Sequence, residues 1–539
     1  MKIVLFSMNA SRTHTNLAIR CLAKSLKQNG FDEVVLIERT EKDNRNDTLA
    51  SLYRESADLY GFSTYIWNVD AHLAMAQNLK HLLPNSKILF GGPEVSYHDE
   101  SFLDHHAYID HLIRGEGEDA IVTLARAIEQ NLTAPKIIDG GVYQGFLEVG
   151  VPYESREDTS GSILYYESSR GCPYSCAYCL SSLHTTPRVR AKSVEATLTD
   201  LDAFEAFDHI RIIKFVDRTF NFDKHRAMAI WKALQSARYT KNYHFEVCAS
   251  LLDQESLALL SHFEKGKIQL EIGVQTTNPQ VLAAINRRDD TQEVLKHLET
   301  LRSFGNMYIH ADLIAGLPTE DYASFAKSFN DLYGKCDMLQ LGFLKLLHGS
   351  PLMAQKDRYG YIYRAEAPYE VLANNTLSFE EINRLHHIEA VLERFSNSQR
   401  FSRAMTVLTK DRTPFSVFES LAEYLPTLNL LSQREAYSRL LAFENDCGEA
   451  ARHQELKDAL ALDFLLNEQG HLPPSLDYAP LTLSREEKQS FRDAHPEAFL
   501  PATECYDIPT YGRIFVDRKN KIPYGSPEKA DQNAVADQK

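Results

Sequence analysis

Along the first 130 residues, hydrophobic positions follow two alternating periods. Short runs in which nearly every residue is apolar, Lys2–Ser7, Glu33–Ile37, Leu59–Ser63, Lys87–Gly91 and His111–Arg114, predict five buried strands. Between them, Thr15–Asn29, Asp47–Arg54, Val69–Leu83 and Glu118–Gln130 carry helical spacing. Strands separated by amphipathic helices imply a parallel sheet with right-handed crossovers, so residues 1–135 read as a doubly wound α/β domain. Ligands of such sheets bind beyond the carboxyl ends of the strands. The segments found there, Met8–His14, Ser63–Asn68, Gly91–Val95 and Gly115–Glu118, are rich in glycine and small polar residues.

Residues 136–160 hold scattered turn residues and read as a connector. From 161 to 350 the alternation restarts, with strand-like runs at Ile163–Ser168, Ile210–Val216, His244–Ala249, Ile268–Val274, Tyr308–Ile314 and Met338–Leu344. Six βα units at this spacing fit a partial β/α barrel better than a second doubly wound sheet. After Pro351 the strand runs stop. Phe379–Phe395 and Glu435–Leu466 carry helical periodicity, which predicts an α-rich domain over 351–525, with a polar, disordered tail at 526–539.

Composition narrows the classes. A hydrophobic content of 44% fits a folded protein, and no apolar run reaches the ~20 residues of a membrane span. The opening Met1–Phe6 is a strand pattern without the features of a signal peptide, so a cytoplasmic protein is expected. The formal net charge of −16 does not favour a nucleic-acid partner, since phosphate binding rests on Lys/Arg patches. Of eight cysteines, three fall within eight residues; Cys21, Cys248, Cys336, Cys447 and Cys505 are scattered and read as small buried apolar residues.

The three clustered cysteines lie in Ser168-Ser169-Arg170-Gly171-Cys172-Pro173-Tyr174-Ser175-Cys176-Ala177-Tyr178-Cys179, a C-x₃-C-x₂-C spacing directly after the first barrel strand. Clustered thiolates suit iron–sulfur clusters and zinc; zinc would want a fourth ligand, for which His184 is available. A [4Fe–4S] cubane on Cys172, Cys176 and Cys179 leaves one iron open. With an aromatic residue, Tyr178, before its third cysteine, the motif resembles the radical S-adenosylmethionine (SAM) superfamily signature. That resemblance implies SAM bound at the open iron and opened reductively to a 5′-deoxyadenosyl radical. Glu271–Thr276, Asn286-Arg287 and Asp312–Pro318 resemble stretches of the coproporphyrinogen-oxidase-like branch, which implies Gln275, Arg287 and Asp312 near the SAM ribose and carboxylate. Asp217 stands where the superfamily often holds the SAM amino group, although it departs from the Gly-Gly-Glu form. Glu246 faces either the barrel or the helix layer, which strand parity alone does not decide.

A parallel α/β domain ahead of such a barrel resembles the B12-dependent radical SAM enzymes, and specifically an uncharacterised subfamily with an added C-terminal domain. The matching pieces, Gly61–Asn68, Gly91-Gly92-Pro93-Glu94 and Arg114–Glu118, imply cobalamin contacts from Ser63, Tyr65, Gly91, Gly92, Glu94 and Gly115. The D-x-H-x-x-G motif whose histidine ligates cobalt is absent. Only His14 lies in that loop, so the resemblance implies cobalamin without a protein histidine ligand. It further implies methylation of an unactivated carbon in a small-molecule or peptide substrate, with a flavodoxin- or ferredoxin-type electron donor. Radical cyclisation or rearrangement, and a cobalamin- or redox-sensing binding protein, are the competing readings. Methylthiolation would want further clustered cysteines in the first domain, where only Cys21 lies.

Overall fold

The computed structural model describes residues 1–98, 100–148, 150–153, 163–183, 189–448 and 452–525. The chain forms two compact units: Met1–Asp321 with Gly342–Ser378, and Tyr322–Leu341 with the chain from Phe379 on. The expected disordered tail, residues 526–539, lies outside the described residues, as does His184.

The first unit opens with a parallel sheet of β1 (Ile3–Asn9), β2 (Val34–Thr40), β3 (Leu59–Ser63), β4 (Lys87–Gly91), β5 (His111–Arg114) and β6 (Ile137–Asp139), in the order β2-β1-β3-β4-β5-β6. Every residue of β1 and β3 is buried, which is why both read as continuous apolar runs. The order reverses between β1 and β3, the switch point at which such sheets bind ligands. Phe6, Phe62 and Phe90 pack on one face of the sheet, with ring centroids 5.4 and 5.0 Å apart. β6 falls where a connector was expected: Ile137 and Ile138 pair with Leu112 and Ile113, and three residues are too few to show a period.

The second sheet is built from β7 (Ile163–Tyr166), β10 (Ile212–Phe215), β11 (Asn242–Glu246), β12 (Ile268–Gln275), β13 (Tyr308–Ala315) and β14 (Met338–Phe343), in the order β14-β13-β12-β11-β10-β7. A small hairpin of β8 (Ser169–Gly171) and β9 (Val189–Ala191) interrupts it after β7. Burial alternates strictly along β12 and β13. Ile268, Leu270, Ile272 and Val274, like Ile309, Ala311, Leu313 and Ala315, are buried, which is the face covered by helices. The opposite, less buried face carries Gln269, Glu271, Gly273 and Gln275, then His310 and Asp312. The same parity puts Tyr165, Lys214, His244 and Glu246 on the lumen side, which settles the orientation of Glu246. A lumen lined with ionisable groups instead of Val, Ile and Leu differs from the packed apolar interior of a closed β/α barrel.

Past the sheet, β15 (Ile362–Tyr363) and β16 (Val371–Ala373) form a two-stranded ribbon. Tyr361 and Tyr369 are each 8% exposed, and the Tyr361 hydroxyl donates to the Gly316 carbonyl at 3.1 Å, so these aromatics pack the fold. The second unit is helical from Phe379 to Ala494, but it ends in a three-stranded antiparallel sheet of β17 (Thr503–Ile508), β18 (Gly512–Asp517) and β19 (Ile522–Gly525). This corrects the expectation that strands stop after Pro351. Charged residues on the outward positions, such as Glu504, Asp507 and Arg513, make these strands resemble loops in sequence.

Two stability predictions follow from the first sheet. Gly92 sits at φ +119°, and a Cβ there would lie 2.4 Å from the Thr64 carbonyl oxygen. Gly92→Ala should therefore cost about 1–3 kcal/mol in denaturant unfolding; an unchanged midpoint would show that the turn can shift. His72 is fully buried: Nε2 accepts from the Met8 amide at 3.2 Å, and burial lowers its pKa from 6.5 to about 3. The unfolded chain takes up this proton first, so stability should fall as pH drops below about 6.5, by up to about 1.4 kcal/mol per unit until about pH 3. Urea titrations across that window check it, and the acid limb should flatten in His72→Gln.

Candidate cluster and cofactor site

Cys172, Cys176 and Cys179 occupy one loop between β8 and a short 3₁₀ turn, Leu180–Ser182. Gly171, at φ +94°, turns the chain into the loop. Two backbone bonds tie its middle to distant segments: the Ala177 amide donates to Ile285 O at 2.9 Å, and the Leu352 amide donates to Ala177 O at 2.8 Å. Cys176 is 9% exposed, and burial pushes its thiol up to about 11; Cys172 shifts the same way for the same reason. Metal loading must therefore strip protons from these thiols. Thiolates on a single zinc lie about 3.8 Å apart, from Zn–S bonds of ~2.3 Å. Among the described residues, the one His/Cys/Asp/Glu group with ligand atoms all within 4.8 Å is Glu271, His310 and Asp312. Three thiols within one short loop suit an iron–sulfur cluster.

Asp217 requires a correction. It is completely buried, and both of its oxygens are committed to the chain leading into the loop. Oδ1 accepts from the Ser168 amide at 2.8 Å; Oδ2 accepts from the Ser168 and Ser169 hydroxyls at 2.5 and 2.7 Å. Arg226 in turn donates to Ser168 Oγ at 2.7 Å. A carboxylate so engaged anchors the β7–β8 corner and is not presented to a ligand.

The other three residues singled out on the barrel do face its lumen or mouth. Gln275 has φ +71° at a bulge in the β12–β13 ladder, and its buried Oε1 has no hydrogen-bond partner. Gly273 leaves the space beside it, since a Cβ there would meet Gln275 Nε2 at 2.3 Å. An orphaned amide oxygen on the lumen face fits a ligand hydroxyl. Arg287 donates to Gly273 O at 2.8 Å, to Asp289 Oδ2 at 2.8 Å and to the Tyr178 hydroxyl at 3.3 Å. Asp312 lies 3.1 Å from His310 Nε2. The neighbouring Glu271 already holds Lys214 and His244, each at 3.0 Å, so its cluster with His310 and Asp312 is an ion-pair network. Burial raises Glu246 to about 7, against the lowering influence of Arg218, 3.9 Å away.

At the carboxyl edge of the first sheet, Tyr65 stacks on Trp67 at 4.4 Å, and Trp67 is 52% exposed. Gly115, at φ +77°, keeps its Cα face clear to 3.5 Å. An exposed aromatic plane beside small residues at the carboxyl edge of the sheet fits a flat ring system. Ser63 Oγ accepts from Asn16 Nδ2 at 3.3 Å, and Gly91 O from the Thr64 amide at 2.7 Å. Glu94 is a second correction. It is 4% exposed and accepts from the Tyr369 hydroxyl at 2.5 Å, with His98 Nε2 3.5 Å away, so its carboxylate is spent inside the protein. His14 does not stand free beneath the edge either: its Nδ1 is hydrogen-bonded to the hydroxyl of Tyr165, on the first barrel strand.

Sequence reasoning missed Arg170, two residues before the first cysteine. Its Nε donates to Glu167 at 2.8 Å, NH1 to Glu116 at 2.9 Å and NH2 to Glu118 at 2.5 Å. Glu116 also pairs with Arg190 and accepts from the Tyr143 amide at 2.9 Å. The loop 114–118 after β5 is thereby clamped to the entrance of the cysteine loop. The signal in sequence was slight: one arginine in a motif noted for its cysteines.

Comparison with known proteins agrees with this layout. Residues 5–125 match the B12 binding domain, 166–332 the radical SAM superfamily, and 357–508 a protein of unknown function, DUF4080. The cobalamin-dependent radical SAM methyltransferase TokK of Streptomyces tokunonensis is 25% identical over 348 residues, 56% of this chain and 49% of that one. The chain spans about half the length of the first curated relatives it matches. In fold it is similar to the cobalamin-dependent SAM radical enzyme OxsB, solved with aqua-cobalamin and SAM bound: TM-score 0.57, 16% identity, 92% of this chain and 75% of that one. It is also similar to the radical SAM methyltransferase TsrM of Kitasatospora setae: TM-score 0.57, 16% identity, 68% and 78%. Segment by segment, the chain is thus similar to a B12-binding domain, then to a radical SAM domain, then to DUF4080. Among the described residues, no helix is long and apolar enough to cross a membrane.

Arg170→Met would leave Glu118 and Glu167 without this cation and Glu116 with Arg190 alone. It should destabilise the chain by about 3–5 kcal/mol in denaturant unfolding and lower iron retention after anaerobic reconstitution. Arg170→Lys, which keeps the charge but not the fork, should fall between.

Proposed function

We propose that this chain is an anaerobic radical SAM methyltransferase that moves a methyl group onto an unactivated carbon of a polar small molecule or peptide. The observation that carries the reading is the cysteine loop, opening beside the orphaned Gln275 oxygen and the held Arg287 guanidinium, in a chain that also matches a B12-binding domain. When bound, a [4Fe–4S] cluster supplies the electron that opens SAM to a 5′-deoxyadenosyl radical, and cobalamin supplies a methyl carrier.

The protein's part is to bind and orient. Cys172, Cys176 and Cys179 hold iron, and the three-thiolate set leaves room for SAM. Gln275 Oε1 accepts from a ribose hydroxyl, Arg287 takes the methionine carboxylate, and Tyr178 lies against the same ligand. Asp312, at the lumen face of β13, completes the hydroxyl acceptors. Tyr65, Gly91, Gly92 and Gly115 provide the edge for cobalamin, with Ser63 near its nucleotide tail. The electron comes from a flavodoxin- or ferredoxin-type donor in the cytoplasm. Cyclisation and rearrangement need the same two cofactors and differ only in the fate of the substrate radical.

Anaerobic reconstitution with iron, sulfide and hydroxocobalamin, followed by an absorption spectrum of the desalted protein, tests the reading. Cobalamin retained near one per chain beside the cluster band, with reductant-dependent 5′-deoxyadenosine from SAM, is the expected result. Cys176→Ala should lose the cluster band and the 5′-deoxyadenosine while keeping cobalamin. A cluster without cobalamin would turn the first domain into a substrate or scaffold module. A folded wild type that takes up no cluster would end the assignment.

A further inference from the structure

Two tyrosines of the cysteine loop, Tyr174 and Tyr178, flank Cys176, and one hydrogen-bonded path outside the loop joins them. The Tyr174 hydroxyl donates to Cys248 Sγ at 3.2 Å. The Cys248 thiol donates to Asp289 Oδ1 at 3.6 Å, where the Ser250 hydroxyl also donates at 2.7 Å. Asp289 Oδ2 accepts from Arg287 Nε at 2.8 Å, with Arg287 NH2 2.6 Å away. Arg287 NH1 donates to the Tyr178 oxygen at 3.3 Å, and the Tyr178 hydroxyl hydrogen-bonds the Cys176 thiol. The donors converge on Asp289, which accepts from Cys248 on one side and from Arg287 on the other, while Arg287 also donates onward to Tyr178.

Cys248 had been read as a buried apolar residue. It is buried at 8% exposure, but it is not idle. Asn221 grips its backbone from both sides, accepting from the Cys248 amide and donating to its carbonyl, each at 2.9 Å. That grip fixes the sulfur where it meets Tyr174. Asp289 is the junction: it alone touches both halves, and the side chains of Arg287 and Asp289 are only 16% and 13% exposed.

We propose that Asp289 and Cys248 are positioning residues of the cluster-and-SAM site: together they close a ring of hydrogen bonds from Tyr174 to Tyr178 that fixes Arg287 and the Cys176 limb of the loop. The proposal rests on the reading of Arg287 as a SAM contact. Outer partners of this kind orient metal ligands, and hydrogen bonds at cluster sulfurs tune potential. A purely structural ion pair would instead show itself in stability alone.

The test uses the reconstituted full chain, with SAM as the probe. In Asp289→Asn, the cluster should load as in wild type while the SAM Kd, by equilibrium dialysis, rises about tenfold, and the SAM-induced change in the electron paramagnetic resonance spectrum of the reduced cluster needs correspondingly more SAM. Cys248→Ser, which keeps a donor and an acceptor, should stay near wild type; Cys248→Ala should weaken SAM binding severalfold and shift the cluster's midpoint potential. Tyr174→Phe should match Cys248→Ala, and the double variant should be no worse than either single one. Wild-type Kd, spectrum and potential in Asp289→Asn and Cys248→Ala, whatever their melting temperatures, would overturn the proposal. If wild type loads a cluster but its spectrum ignores SAM, the SAM reading itself fails, and the proposal with it.

Discussion

Arg170 stands between a strand end and the turn that opens the cysteine loop, and its guanidinium is met by carboxylates on three sides. Glu167 comes from its own corner, while Glu116 and Glu118 come from the loop after β5, more than fifty residues earlier. Breaking so enclosed a set strands buried charge, so the two segments behave mechanically as one piece. Everything that depends on how the first sheet's ligand edge faces the cluster loop depends on this junction. The bond between His14 and Tyr165 supports it from the other side of the same edge.

The barrel inverts the usual arrangement of polarity. Its apolar residues lie under the helices, where Ile213, Phe215, Phe245, Ile272 and Leu313 are all within 1% of complete burial. Its interior sets Lys214 and His244 against Glu271, and His310 against Asp312, with Glu246 outside these pairs. Burial then acts on what is left: Glu246, with only a distant guanidinium, rises to about 7, while Glu271, against burial, is pulled down to about 2 by its bond from His244 and the charge on Lys214. The same sheet face therefore carries carboxyl groups in both protonation states near neutral pH.

What was legible in the sequence follows the range of the contacts. Strands such as β1 and β12 announce themselves because burial on one or both faces imposes a period on neighbouring residues. The cysteine loop is legible because a cluster needs its ligands within one stretch of chain. Asp217 was misjudged because its partners, Ser168 and Ser169, lie some fifty residues back and reach it only through the β7–β10 pairing. Glu94 was misjudged for the same reason, its hydroxyl donor being Tyr369. Arg170, Asp289 and Cys248 act through distant carboxylates and hydroxyls, and no local spacing marks them. β17 to β19 escaped because strands whose outward positions are charged look like loops until their partners are known.

The two backbone bonds that hold Ala177 against Ile285 and Leu352 tie the middle of the cysteine loop to the barrel through atoms other than its thiols. In a zinc finger the metal is the fold, and its loss unfolds the chain. Here the loop has a second tether, made of backbone bonds to segments far away in the chain. Oxidation at the thiols would leave that second tether in place, so a loop stripped of its metal would still be held at its middle, ready to be refilled.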